Sequence, residues 1–199
     1  MEHYTITINR QFGSLGRPIA QKLSELLSIE YYDRDIVDNA CKKTGLSVKE
    51  VSDLEENAKT DYLYMRFPLG KVTTNRQNFI FNVQSKFIRE TAEKEDCIIV
   101  GRCAEHILSE KKKLLRIYIY APYEARLRNC TDILMLEHDT ALKMIDSVDK
   151  ARNIYHKKYT GYVPSDLDHV DLMINSDLLG VDGSAEMIAE IAKKKFGLQ

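Results

Sequence analysis

The sequence predicts an α/β fold: a parallel five-stranded sheet flanked by helices. Three observations predict it. Short β-rich runs alternate with helical stretches along the whole chain. Several of those runs are nearly continuously apolar, as central strands covered on both faces should be. The 199 residues suffice for one such domain with a full core and inserted segments, and are few for two independent domains.

The elements follow in order. Strands are expected at residues 4–9, 29–32, 97–100, 114–120 and 171–175. Between the first two, residues 16–28 carry Ile19, Ala20, Leu23, Leu26 and Leu27 at helical spacing. Residues 34–43 and 47–56 read as further helices, the second with Ser47 and Glu50 in capping-box positions. Residues 57–74 are mixed, with Pro68 and Gly70, and read as a connection. A longer helix over 75–92 places Phe79, Ile80, Val83, Phe87 and Ile88 on one side, a stripe that suits a core. Helices are expected again at 123–130, 140–156 and 184–195, the last with Ile188, Ile191 and Ala192 facing inward. The core is then 1–35, 95–130 and 170–199, with insertions at 36–94 and 131–169. In an open α/β sheet ligands gather at the carboxyl ends of the strands, so both insertions would rise around that edge.

Composition narrows the function. With 29 Lys+Arg against 30 Asp+Glu the net charge is -1, which argues against a nucleic-acid or membrane-surface partner and for a small anion held by a local cluster. Cys41, Cys97, Cys103 and Cys130 lack C-x-x-C spacing and read as reduced, structural thiols. The N-terminus resembles no leader and no apolar run approaches a membrane span, so a soluble, cytoplasmic protein is expected. His3, His106, His138, His156 and His169 are scattered, and no dedicated protein metal site is expected. Neither a G-x-S-x-G elbow nor a G-x-G-x-x-G fingerprint is present.

The most informative stretch joins the first strand to the first helix through Gln11-Phe-Gly-Ser-Leu-Gly-Arg-Pro18. Laid on the phosphate-binding pattern G-x-x-x-x-G-K-[ST], Gly16 takes the second glycine, Gln11 the first, Arg17 the lysine and Pro18 the hydroxyl residue. Backbone N–H groups at a helix N-terminus cradle anions, so Gly13, Ser14 and Gly16 can hold phosphate without a lysine, and Arg17 supplies charge as a bidentate fork. Pro18 suits the first helical turn. The hydroxyl that would touch Mg²⁺ is gone, so a metal would be held mainly through nucleotide and water. The plain alternative is a strand-turn-helix whose glycines serve the turn, and the loop alone does not decide.

Other strand ends carry charge. Asp33 can orient a substrate group or cap a helix, and Arg34 can hold an anion. Arg102 follows Gly101 at the end of the third strand, where an anion contact is favoured over a surface salt bridge. Arg126 and Arg128 precede the second insertion, and Asp149 and Arg152 share one side of its helix, three residues apart. Arginines on a mobile flap suit phosphoryl transfer, whose spread negative charge must be neutralised. Lys157 and Lys158 read as a solvated helix face.

Together these stations resemble the cytidylate kinase-like family, a branch of the P-loop nucleoside monophosphate kinases. The carriers are Phe12-Gly-Ser-Leu-Gly-Arg17, Tyr32-Asp-Arg-Asp35, Gln84-Ser-x-x-Ile-Arg89, Ile98-Ile-Val-Gly-Arg-Cys-Ala104, Tyr120-Ala-Pro-x-Glu-x-Arg126, Asp149-Lys-x-Arg152, Tyr159-Thr-Gly161 and Asp171-Leu-x-Ile-Asn175. The resemblance implies a three-layer P-loop core, a helical monophosphate-binding insertion at 36–94 and a lid at 131–169. It further implies that ATP, with Mg²⁺, donates its γ-phosphoryl to CMP or dCMP. Gly13, Ser14, Gly16 and Arg17 would hold ATP phosphates; Arg17, Arg152 and Arg126 would serve the transferring group. Asp33, Arg34, Gln84, Arg102 and Asp149 would bind substrate, so small-molecule nucleotides are the expected partners. Departures are Cys103 in place of the aspartate of a G-R-D motif, and Leu15 in place of a glycine, where a Cβ is costly at positive φ. Tyr62, Tyr64, Arg66 and Gln84 do not identify a base. A phosphotransferase with another small acceptor and a non-catalytic nucleotide-binding module therefore stay open, and the sequence sets no oligomeric state.

Overall fold

Thr5–Arg10 forms the central strand, β1, of a five-stranded sheet in the computed structural model, which describes residues 2–33 and 74–198. The other strands are β2 (Glu30–Tyr32), β3 (Cys97–Val100), β4 (Leu114–Tyr120) and β5 (Leu172–Asn175). Their spatial order is β2-β3-β1-β4-β5, and every pairing is parallel. Thr5 stands opposite both Cys97 and Leu114, which sets the register of the three middle strands.

The side-chain alternation of β1 explains its central place. Ile6 and Ile8 are wholly buried on one face, with Ile98, Val100, Leu115, Ile117 and Ile119 from the neighbouring strands. That face packs on α1 (Gly16–Leu27) and α6 (Ser176–Phe196), through Ile19 and Leu23 of the first and Ile188 and Ala192 of the second. Thr5, Thr7 and Asn9 point the opposite way and are buried too, so this strand carries a polar stripe inside the protein. On that side Cys97, Ile99 and Leu114 meet Phe87 and Ile88 of α2 (Thr74–Lys94) and Ile107 of α3 (Ala104–Ile107). A third cluster joins Phe12 to Cys130, Ile145 and Val148. It lies beneath the β1–α1 loop, between α4 (Tyr123–Arg128), the π-helical turn Asn129–Ile133 and α5 (His138–Thr160).

The expected strands match to within a residue at each end, and the helices depart in instructive ways. The helix expected at 123–130 ends at Arg128 and continues as the π-helical turn. The one expected at 140–156 runs from His138 to Thr160 and stops at Gly161, whose φ of 89° is a left-handed C-terminal cap. The last helix starts at Ser176 instead of 184, because the Asn175 side chain accepts from the Asp177 N–H, and it bends at Gly180, φ 65°. The short α3 was not expected from periodicity. The helices expected at 34–43 and 47–56, and the connection at 57–74 up to Thr74, lie outside the described residues, as do Arg34, Cys41, Tyr62, Tyr64 and Arg66. Cys97, Cys103 and Cys130 are buried free thiols. No described helix is long and apolar enough to cross a membrane.

Candidate functional site

At the carboxyl edge of the sheet, where β1 passes between β3 and β4, the β1–α1 loop is held in one conformation from behind. The Gln11 carbonyl accepts from Ser14 Oγ at 2.9 Å. The Phe12 carbonyl accepts from an Arg126 guanidinium nitrogen at 3.3 Å, the Gly13 carbonyl from Asn129 Nδ2 at 2.8 Å, and the Ser14 carbonyl from Ser176 Oγ at 2.8 Å. Successive carbonyls from Gln11 to Ser14 are thus each tied to a side chain. The C=O and N–H of a trans peptide unit point in opposite directions, so the N–H groups of Gly13, Ser14 and Leu15 face away from this scaffold. The Phe12 N–H, by contrast, donates to Asp149 Oδ1 at 2.7 Å. Immediately after Leu15, α1 begins with no side-chain cap, and its first N–H groups have no intrahelical partner. Such a run of backbone donors is an anion cradle.

Glycine is required where the loop is tightest. At Gly13, φ 78°, a Cβ would lie 2.8 Å from the Arg126 carbonyl; at Gly16 it would lie 2.8 Å from Arg10 Cβ and Cγ. Leu15 takes φ 58° and ψ 24°, the left-handed conformation that a glycine would adopt freely. The side chain expected to restrict this turn instead accepts the strain, and it packs on the core formed with α1.

In front of the loop lies a cavity of about 360 Å³ lined by Gly13, Gly16, Arg17, Asp33, Arg102 and Arg152 among others. Gly101, Arg102 and Cys103 all have positive φ, between 57° and 74°, a strained run that brings Arg102 to the cavity. Arg17 Nε stands 3.5 Å from Asp33 Oδ2. From α5, Arg152 donates to the Arg10 carbonyl at 3.0 Å. Burial pushes the Arg152 guanidinium down to about 9, Arg10 adds repulsion, and Asp149 and Asp33 pull the other way.

Four of the expected site residues have side chains engaged elsewhere. Arg126 and Asp149 form an ion pair behind the loop at 2.5 Å and are bonded to the carbonyl and the N–H of Phe12 respectively. Arg152 is a more distant partner of Asp149, at 3.9 Å, than the sequence spacing suggested. Ser14 is fully buried, and its hydroxyl donates to the carbonyls of Gln11 and Ile119, so it contributes backbone to the loop's front. Gln84 is buried on α2, where its side-chain oxygen accepts from Tyr155, a residue of the cavity wall, at 3.2 Å.

The structure adds residues that periodicity did not single out. Asn129 and Ser176 are loop scaffolding, and an N-terminal asparagine of a π-helical turn carries no sequence signal for that task. Arg10 ends β1 as a charged residue, a signal open to reading, and its side chain enters the cavity. At the cavity wall His156 forms a buried pair with Glu105 at 2.5 Å. Glu105 also accepts from Asn9 at 2.9 Å, and His156 Nδ1 lies 2.8 Å from the Tyr162 carbonyl. Among the described residues no group of His, Cys, Asp or Glu is arranged to hold a metal ion.

The model of the cytidylate kinase-like family matches residues 5–178. Among curated proteins none matches the chain. A solved structure of an uncharacterized protein from Eubacterium ventriosum ATCC 27560 is 27% identical, with a TM-score of 0.71, covering 96% of this chain and 99% of that one. A shikimate kinase from Bacteroides thetaiotaomicron is similar at 12% identity and TM-score 0.55, covering 96% and 98%. A sugar kinase from Janibacter sp. HTCC2649 is similar at 11% identity and TM-score 0.53, covering 98% and 95%. The last two likenesses speak to the fold alone, an α/β P-loop kinase architecture.

Proposed function

The chain belongs to the cytidylate kinase-like family, and from that membership we propose that it transfers the γ-phosphoryl of ATP to a nucleoside monophosphate, CMP or dCMP. The observation that carries this reading is the scaffolded loop, whose carbonyls are tied back so that its N–H groups face the other way, beside an arginine-lined cavity. The loop N–H groups from Gly13 to Gly16, with Arg17, hold the donor phosphates. Arg102 holds the acceptor phosphate, and Arg152 neutralises the transferring group. Asp33, the carboxylate that lines the cavity among the described residues, orients the arginines on either side of it.

Burial supports the role of Arg152, since a guanidinium held in a desolvated place gains most from a bound anion. Arg126 and Asp149 serve as positioning residues, fixing the loop through Phe12. Gln84 acts through Tyr155 on the acceptor side. An acceptor phosphate is already anionic, so the reaction needs in-line positioning and charge neutralisation more than a strong base. The cradle suits ATP phosphates. Mg²⁺, which would neutralise phosphate charge, would be held chiefly through the nucleotide and water, because Pro18 replaces the usual hydroxyl and Ser14 Oγ donates to carbonyls. Residues 131–169 would act as the lid and 36–94 as the monophosphate-binding insertion, and Arg34 would bind substrate.

A coupled assay of ATP–Mg²⁺ consumption with CMP, dCMP, UMP, AMP, shikimate and a hexose tests the reading. Turnover with CMP or dCMP above the others is the expected result. Turnover confined to shikimate or the sugar overturns the nucleotide acceptor, and ATP binding without turnover of any acceptor points to a regulatory nucleotide-binding module.

A further inference from the structure

Arg10 is the last residue of β1, and its side chain does not leave the protein at the strand end. It crosses the cavity floor between two glycines. Its Cβ and Cγ occupy the space that a Cβ on Gly16 would need, at 2.8 Å, and its terminal nitrogen lies 2.5 Å from where a Cβ on Gly101 would stand. Two loops therefore leave room for one arginine. At its tip the guanidinium reaches Asp33 Oδ1 at 3.4 Å, and its side chain is 19% exposed.

Charge at this place is out of balance. Arg10, Arg17, Arg102 and Arg152 line the same cavity, against the single carboxylate of Asp33 among the described lining residues. Asp33 is shared, since Arg17 approaches its other oxygen at 3.5 Å. Asp149, the next carboxylate, is held by Arg126 and the Phe12 N–H. Burial pushes Arg10 down; Asp33 opposes this, while Arg102 and Arg17 add to it. Four guanidinium groups around one carboxylate are stable as a set when further negative charge enters between them.

We propose that Arg10 is a ligand-binding arginine of the acceptor subsite, which together with Arg102 selects an acceptor carrying a dianionic group such as a phosphate monoester. The side of the cavity follows from its tip. It lies at the ends of β2 and β3, beside Asp33 and Gly101, whereas the loop N–H groups that suit the donor phosphates lie at the start of α1. A neutral acceptor hydroxyl would leave the arginine excess to the donor phosphates alone. The planar fork matters as well as the charge, because Arg10 can hold Asp33 with one nitrogen and a phosphate oxygen with another. The kinetic consequence rests on the phosphotransfer reading above; the binding consequence does not.

The test compares the parent protein with Arg10→Met, Arg10→Lys and Gly101→Ala. Gly101→Ala keeps every charge but places a methyl on the Arg10 guanidinium, so it displaces the fork without removing it. Calorimetric titration with inorganic pyrophosphate in the presence of saturating ADP, which occupies the donor cradle, is expected to show binding to the parent, weakened roughly tenfold or more in Arg10→Met and in Gly101→Ala and only partly restored in Arg10→Lys. In the acceptor assay, Arg10→Met is expected to raise the acceptor KM about tenfold while the ATP KM stays within about twofold. Equal pyrophosphate affinity in the parent and Arg10→Met, or no binding to the parent, overturns the assignment. A rise confined to the ATP KM overturns the acceptor subsite, and faster turnover of cytidine than of CMP overturns the dianionic class. Loss of pyrophosphate binding in Arg10→Met from a parent that phosphorylates none of the acceptors sustains the binding role of Arg10 while the phosphotransfer reading fails.

Discussion

Gly13 and Leu15 sit two residues apart, both at positive φ, and they meet that requirement by different means. Leu15 bears the left-handed cost of a Cβ, on the order of 1–2 kcal/mol, and recovers part of it by packing against the core beneath α1. Gly13 has no such recourse, because the Arg126 carbonyl and Cys130 Sγ fill the space a side chain would need, at 2.8 and 3.0 Å. Gly13→Ala is therefore expected to lower stability by about 2–5 kcal/mol, the sum of left-handed strain and overpacking. Urea unfolding followed by circular dichroism measures it, and a change under about 1 kcal/mol would mean that the loop gives way more readily than its scaffold implies. Arg126 and Asp149 make the same point from the other direction. Their residue types suit phosphate and substrate, yet their partners in the fold are the two backbone groups of Phe12.

Among the elements, α5 does the most to join distant parts of the chain. Its Asp149 holds the loop, its Arg152 holds the end of β1, its Tyr155 holds Gln84 of α2, and its His156 holds Glu105 of α3. The last contact is buried, with both side chains 4% exposed, and Asn9 of β1 shares the Glu105 carboxylate. Removing one member of a buried pair leaves its partner without compensation, at about 3–5 kcal/mol. Glu105→Ala should cost that much in urea unfolding, and Glu105→Gln, which keeps the volume and an oxygen for Asn9, should cost less. If the alanine variant unfolds at the same urea concentration as the parent, the pair does not anchor α5. The amphipathic pattern of α5 signalled a helix; the long reach of its polar side chains did not follow from that pattern.

For the whole molecule, burial of ionisable side chains sets the alkaline limit of stability. Burial, first among the causes, raises Tyr4 to about 12, Cys97 to about 12 and Cys130 to about 11. A group whose folded pKa lies above its unfolded value contributes stability that is present below the unfolded value and is lost as pH rises towards the folded one. For the thiols that window opens near 9, and for Tyr4 near 10. Arg152 and Arg10 act with the opposite sign, since their pKa values fall on folding, but they are two groups against several. The urea midpoint is thus expected to fall between pH 8.5 and about 11, and a midpoint that holds or rises across that range would mean that these buried groups do not control stability.

Among the described residues, the order of the strands and of every helix but α3, the position of the β1–α1 loop and the gathering of basic residues at one sheet edge were legible in the sequence. Alternation with period two and repetition near 3.6 are local, and a few neighbouring residues suffice to express them. The positive φ of Gly13 is local in the same way, whereas the crowding that excludes a side chain there comes from Arg126 and Cys130, more than a hundred positions away. Which charged residues face the cavity was decided by tertiary structure alone. Phe12 and Asp149 are 137 positions apart, and Arg10 and Asp33 are joined by a contact between two strand ends. A guanidinium or a carboxylate binds whichever partner the fold delivers within about 3 Å, and no local pattern records that distance. Hence Arg126 came to lie behind the loop and Arg10 within the cavity, although the sequence marked the first and passed over the second.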